Sequence, residues 1–522
     1  MTAAGLLAAC IALVPLAYLA VRTGEAGLTR VVEILTRDRT LELLARSVAL
    51  TVIVTGASLV LGVAAAVLVT RTDVPGRKVL AVLLGLPLAV PSYVAAYAWL
   101  TTVPWARGLL GASVVLTLVS YPYVYLPVAA AIRRTDPAAE EVARSLGLPQ
   151  WAAVLRVGLP ALRPAAASGA LLVALYTLSD FGAVAMLQCD VFTRAIFTSY
   201  TASFDRTPAA VLACLLVALT LVITLGERRT RGRVETARVG AGLARPHERI
   251  ALGRSRAAAF AGALALLALA LGVPAAALVR WMAVSVNAGV DLGTLGASAG
   301  ATVQFALAGA IGCTLLAVPV GILAARYPGA LTRAIETATW SGHALPGLVV
   351  ALSLVFFGIR VVPVWYQQAP MLVFAYVVLF LPAAVGAVRA SVALSSPALE
   401  DVARSLGNTR LATWRRVTLP LAAPGIATGA ALVMLTAAKE LPATLLLHPT
   451  GVETLATRLW SYTSIAAHGQ AAPYALVLVA LGVFPTLWLL RTSGALGGDS
   501  SPSGRRAPAA TEERLAQMEV SA

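Results

Sequence analysis

Apolar residues in this chain come in long runs separated by short polar stretches. A helix that crosses the hydrocarbon of a bilayer needs about 20 largely apolar residues. Twelve segments fit. The first half of the chain carries 3–21, 47–70, 79–101, 110–132, 165–187 and 208–226, and the second carries 257–279, 298–325, 335–359, 370–388, 424–446 and 472–490. The pattern predicts an all-α polytopic membrane protein with about 12 transmembrane helices. Segment 3–21 lacks the basic stretch and the small-residue cleavage site of a signal peptide, so it is read as a span.

The polar stretch after the fourth span is written twice. Glu140-Glu141-Val142-Ala143-Arg144-Ser145-Leu146-Gly147 returns as Glu400-Asp401-Val402-Ala403-Arg404-Ser405-Leu406-Gly407, at an offset of 260 residues. The same offset relates Leu159-Pro160 to Leu419-Pro420, Pro164 to Pro424, and Gly169 to Gly429. Earlier landmarks match at 255: Pro91 with Pro346, and Leu126-Pro127 with Leu381-Pro382. A repeat half a chain long is two copies of one structural unit. An even number of spans per copy makes them parallel six-helix repeats rather than inverted ones.

Within each copy the polar stretch reads as a short amphipathic helix followed by a break. Glu140 and Arg144 stand four apart and Glu141 and Arg144 three apart, as do Glu400, Asp401 and Arg404, so they are spaced to pair on one helical face. Gly147 and Gly407 are placed to end the helix. The residue before Pro160 or Pro420 is expected to leave the helical region, so that Leu-Pro restarts the chain. A loop that stays alike while the flanking spans drift reads as the docking surface for a shared partner.

Composition fits a membrane chain: 59% of residues are hydrophobic and 12% charged, with mean hydropathy +0.83, against about 25% charged in soluble domains. Formal charge is +16, almost all from arginine, with Lys78 and Lys439 the lysines. A soluble protein with this charge would raise the question of nucleic acid; here its use is to hold loops in the cytoplasm. With the N-terminus inside, the inner segments carry 28 Arg and Lys and the outer segments 8. Both repeated stretches and both termini then face the cytoplasm.

The domain organisation follows. Residues 1–226 form a first half with its repeated loop at 134–164, and residues 257–490 a second half with its loop at 389–423. Segment 227–256, with nine arginines and no apolar run, is a cytoplasmic linker. It is read as a tether, the alternative being a site for anionic lipid. The tail 491–522, rich in Gly, Ser, Pro and Ala, is expected to be disordered.

Motifs for catalysis are missing. Neither lysine stands in the Gly-Lys-Ser/Thr of a phosphate-binding loop, and His247, His343, His448 and His468 form no His-Glu-x-x-His pair. Cys10, Cys189, Cys214 and Cys313 have no metal-ligand spacing. Any ATP hydrolysis that drives this chain belongs to another one.

Three charged side chains fall well inside the spans: Asp180, Lys439 and Glu440. Asp180 and Glu440 are repeat equivalents at the 260 offset, in the outer half of their spans. Charges in hydrocarbon cost at least about 2.5–3.5 kcal/mol each, so all three should face the bundle interior or water. Two carboxylates are hard oxygen ligands suited to a hard cation. The other reading is a salt bridge that closes an outer gate, with Lys439 paired to Asp180 or Glu440.

The repeated stretch resembles the EAA motif of ABC-importer permeases of the binding-protein-dependent class. That resemblance maps the motif glutamate to Glu141 and Asp401, the glycines to Gly147 and Gly407, and the Leu-Pro to Leu159-Pro160 and Leu419-Pro420. Val142 and Val402 replace the first alanine of the motif. It implies that each stretch is a coupling helix seated in a groove of a separate ATPase, which is present in two copies and carries the ATP and Mg. The chain itself would bind no cofactor, reside in the bacterial inner membrane and meet an extracytoplasmic binding protein. Two halves fused in one chain are similar to ferric-iron permeases and related thiamine permeases. Ser179-Asp180-Phe181-Gly182-Ala183-Val184 and Lys439-Glu440-Leu441-Pro442-Ala443-Thr444 resemble the iron type. The rivals are the same class carrying thiamine or a phosphonate, and an ion-coupled secondary transporter or channel. The latter type usually shows broken helices and polar or charged midplane groups, and three intramembrane charges are few.

Overall fold

The repeat predicts two bundles built alike, and the packing is organised in that way. The computed structural model describes residues 1–202, 206–230, 248–342 and 345–492. Most of the segment 227–256 and of the tail 491–522 lies outside them. Among the described residues every regular element is helical, and the one extended pairing is an isolated parallel bridge between Thr72 and Ile250.

Eight helices are long and apolar enough to cross a membrane, and two bent helix pairs bring the number to ten. The shorter apolar helices Gly347–Arg360 and His468–Val483 occupy two more of the expected segments. Large apolar residues along the spans, among them Val52, Val60, Val222 and Leu315, are exposed, as a surface facing lipid requires.

In the first half, Asp38–Arg71, Pro122–Arg134 and Arg163–Ser179 pack on one another; in the second, Leu292–Arg326, Ala369–Leu394 and Leu419–Ala438 do the same. These are repeat equivalents. Gly169 and Gly429 show why the duplicated glycines matter: a Cβ at Gly169 would lie 2.7 Å from the Val124 Cα, and one at Gly429 2.5 Å from the Ala387 Cβ. Small residues at such crossings let the backbones approach. The leading helix of each half crosses over. Thr2–Glu25 packs on Leu292–Arg326, Ala330–Ser341 and Gly347–Arg360 of the second half, and Val273–Ala288 packs on Ser92–Thr102 of the first. The halves are thereby interlocked.

Several spans read as continuous are broken. Segment 79–101 is Arg77–Ala89 and Ser92–Thr102, bent by 94° at Pro91. Segment 335–359 divides into Ala330–Ser341 and Gly347–Arg360, the second starting after Pro346. Segments 165–187 and 424–446 break at Asp180 and at Lys439–Leu441, after which come the short helices Gly182–Met186 and Pro442–Leu447. Proline explains the first pair of breaks, because it removes a backbone donor and disfavours helix in the residue before it.

Candidate functional site

The repeated stretches form the helices Ala138–Ser145 and Pro397–Ser405. Gly147 and Gly407 end them with φ of +92° and +86°. The Leu148 N–H donates to the Ala143 carbonyl (3.1 Å) and the Gly147 N–H to the Arg144 carbonyl (2.9 Å); Asn408 and Gly407 make the equivalent bonds to Ala403 and Arg404. This is the Schellman arrangement, which needs a left-handed residue at the glycine position.

The charges pair differently from the spacing. Glu140 does not bond Arg144; it turns inward to Arg71, at the end of Asp38–Arg71, through bonds of 3.0 and 2.5 Å. Glu400 likewise accepts from the Arg326 Nε at 2.9 Å, and Arg326 also donates to the Ser395 carbonyl and hydroxyl, both at 2.7 Å. Two charge-assisted bonds in a buried place outweigh an exposed pair on one helix, which contributes a few tenths of a kcal/mol. Arg144 pairs with Glu248 at 2.5 Å. The spacing holds only for Asp401 and Arg404, which do pair.

The Leu-Pro break is also corrected. Leu159 and Leu419 stay helical, with φ/ψ of −65°/−41° and −66°/−46°. Each follows a five-residue π-turn, Val154–Gly158 or Trp414–Thr418. The wider turn absorbs the missing N–H of Pro160 or Pro420; the helix runs on unbroken through Pro420 to Ala438, whereas in the first copy it ends at Ala161 and bends by 62° into Arg163–Ser179. A Cβ at Gly158 would overlap the Glu140 Oε1, so the turn is also fitted to the buried carboxylate.

With Glu140 and Glu400 turned inward, the opposite face of each helix is left open. Val142 and Leu146 are 59% and 81% exposed, and Val402 and Leu406 56% and 77%. Glu141 and Asp401 are exposed beside them. Each helix thus offers a small apolar patch flanked by an acidic group, a surface suited to seating in another protein's groove.

The intramembrane charges lie at the helix breaks. Asp180 accepts from the Ser92 hydroxyl and from the Ala183 N–H (2.9 Å), capping the helix Gly182–Met186. Glu440 accepts from the Ala443 N–H (3.3 Å) in the corresponding place. Ser92 and Gly347 are themselves equivalents, the first residues of the helices after Pro91 and Pro346. The shorter Asp180 is met by a serine hydroxyl. The longer Glu440 occupies the space a side chain at 347 would need, since a Cβ there would lie 2.7 Å from its Oε1. Both carboxylates therefore sit at helix N-termini, where negative charge is favoured.

The gate salt bridge is not formed. The Lys439 Nζ lies 3.4 Å from the Leu88 carbonyl, at the end of the 3-10 turn Leu86–Ala89, and pairs with neither Asp180 nor Glu440. The carboxylates are already engaged by hydroxyl and N–H donors. Nor is a metal cluster assembled: among the described residues no three His, Cys, Asp or Glu side chains converge. Beside the breaks, Phe181 packs on Phe197 and on Trp460 of the other half, with ring centroids 4.6 and 5.2 Å apart.

Arg71, Arg326, Ser92 and Gly347 were missed in the sequence. The signal was present: both pairs are repeat equivalents at the 255 offset, and both arginines end apolar runs.

Two interlocked bundles, each with an open amphipathic helix at the equivalent loop and a carboxylate at the equivalent break, define a membrane-spanning transport component. The chain belongs to the family of binding-protein-dependent transport system inner membrane components, which matches it twice, over residues 58–234 and 317–491. It is 37% identical over 484 residues to the Fe(3+)-transport system permease protein FbpB 2 of Haemophilus influenzae, covering 91% of this chain and 94% of that protein. More distant similarity reaches the sulfate transport system permease protein CysT of Escherichia coli (28% over 205 residues, 35% of this chain and 73% of that protein). It also reaches the molybdate/tungstate permease WtpB of Thermococcus kodakarensis (26% over 181 residues, 34% and 72%). Broken helices alone do not distinguish an importer permease from an ion-coupled transporter; the twofold family match places the chain among the importers.

Proposed function

We propose that this chain imports ferric iron, delivered by an extracytoplasmic binding protein and driven by two copies of a separate ABC ATPase. The observation that carries the coupling is the pair of open helices, Ala138–Ser145 and Pro397–Ser405, each held to its bundle by an arginine–glutamate pair. A groove in each ATPase subunit takes Val142 and Leu146, or Val402 and Leu406, with Glu141 or Asp401 at its edge. Movement of the ATPase is passed through Glu140–Arg71 and Glu400–Arg326 to the spans Asp38–Arg71 and Leu292–Arg326. ATP and Mg stay on the partner.

The iron assignment rests on the similarity to the Fe(3+)-transport permease along nearly the whole length of both chains. Asp180 and Glu440 lie on the cargo route at the junction of the halves, where Phe181, Phe197 and Trp460 close the seam. The loops bearing the coupling helices, and both termini, face the cytoplasm, following the excess of arginine there. Co-expression with the ATPase tests the assembly: native mass spectrometry should give one permease chain with two ATPase subunits. A permease that purifies alone under conditions preserving the ATPase dimer would oppose it.

A further inference from the structure

One cavity is lined by none of the residues assigned to the coupling surface or the cargo route. It measures about 510 Å³ and lies between the turn after Asp38–Arg71 and the chain that leads into the second half. Arg77 and Lys78 line it from the turn, and Arg249 and Arg256 from the far side of the linker; Asp73 is its one carboxylate. Backbone bonds hold these distant segments together. The Asp73 N–H donates to the Ile250 carbonyl (3.3 Å) and the Ile250 N–H to the Arg71 carbonyl (2.8 Å). The Asp73 carboxylate accepts the Leu252 N–H at 2.9 Å. One of its oxygens is thus held by the fold, and four cationic side chains against one carboxylate line the opening.

Duplication does not explain this clustering. The cavity beside the helix that follows the corresponding turn, Ala330–Ser341, is lined by that helix and Leu13 and has one arginine, Arg333. The excess comes from Arg77 and Lys78 together with the linker end, which the second half lacks.

We propose that this cavity binds a phosphate group, carried by an anionic phospholipid headgroup or by a soluble phosphate ester. Guanidinium and ammonium groups converging on one opening are the partners phosphate oxygens take. Basic segments where spans meet the membrane surface attract anionic headgroups. The occupant lies next to the coupling apparatus on two sides. Arg71, whose carbonyl anchors Ile250, is the partner of Glu140, and Glu248 pairs with Arg144. A phosphate here fixes the linker end against the first coupling helix. The second helix has no equivalent, since Arg404 pairs within it to Asp401. The site rests on the proposed topology only for the choice of leaflet.

The test uses the purified full-length chain in detergent, where sidedness plays no part. Native mass spectrometry compares retention of phosphatidylglycerol and phosphatidylcholine, and thermal unfolding is followed with and without inorganic phosphate. Wild type should retain phosphatidylglycerol preferentially. Lys78→Gln with Arg256→Gln should weaken that retention about tenfold or more, since a hydrogen bond to a charged group contributes about that much. Arg333→Gln with Arg415→Gln removes the same charge elsewhere and should leave it unchanged. Stabilisation by inorganic phosphate in wild type but not in the cavity variant identifies a soluble ester as a ligand; preference for phosphatidylglycerol without that stabilisation identifies the lipid. Equal retention of both lipids by wild type with no phosphate effect overturns the proposal. So does equal loss in the two double variants. Should the cavity variant unfold, the single Lys78→Gln, at an exposed position, carries the comparison.

Discussion

Arg71 and Glu140 lie 69 residues apart in the chain and meet through two charge-assisted hydrogen bonds, with each side chain less than a tenth exposed. Arg326 and Glu400 repeat the relationship at 2.9 Å in the second half. Breaking a buried pair by removing one partner costs about 3–5 kcal/mol, because the other charge is stranded. Glu140→Ala should lower the unfolding temperature of the purified chain by several degrees. The double variant Arg71→Met with Glu140→Leu should recover most of the loss. Equal destabilisation in the single and double variants would show that the pairing is not what holds the helix.

The outward acidic groups should behave in the opposite way. Glu141→Ala with Asp401→Ala should leave unfolding unchanged and reduce association with the ATPase. Gly147→Val with Gly407→Val should lower the unfolding temperature as well as reduce that association, since φ near +90° costs a branched residue about 1–3 kcal/mol at each site. Co-purification of the ATPase with each variant, set beside its melting curve, checks the distinction.

At the intramembrane breaks, the contacts of Lys439 predict the result of a charge swap. Asp180→Lys with Lys439→Asp should not restore transport lost in Asp180→Lys, because the two residues are not paired. Asp180→Asn keeps an acceptor for the Ala183 N–H and should retain more transport than Asp180→Ala. Gly347→Ala should impair transport as Glu440→Ala does, by displacing the carboxylate. Recovery in the swap would reinstate the gate ion pair.

Sidedness has its own test. A cysteine placed at Ser405 should react with a membrane-impermeant maleimide only from the cytoplasmic side, and one at Gln367 only from outside. The reverse pattern would invert the topology and place the open helices beyond reach of a cytosolic ATPase.

The two-half architecture was legible because the apolar runs and the 260-residue repeat are properties of the chain alone. Gly147 and Gly407 were legible because a left-handed helix end selects glycine. The partners of Glu140 and Glu400 were not, since spacing along a helix proposes Arg144 and Arg404 whereas Arg71 and Arg326 arrive through tertiary packing. Pro160 and Pro420 misled because a π-turn can absorb a proline that ordinary helix geometry rejects. Lys439 misled for a related reason: proximity in sequence to Glu440 says nothing of the Leu88 carbonyl that the crossing helices bring to it.

Uptake into proteoliposomes tests the central claim most directly. The permease is reconstituted with its ATPase and the candidate binding protein, and radiolabelled Fe(III) and thiamine are supplied outside. The account predicts ATP-dependent accumulation of iron and not thiamine, lost in the Glu141→Ala with Asp401→Ala variant despite normal insertion. Iron uptake without the ATPase, or full uptake by that variant, would contradict it.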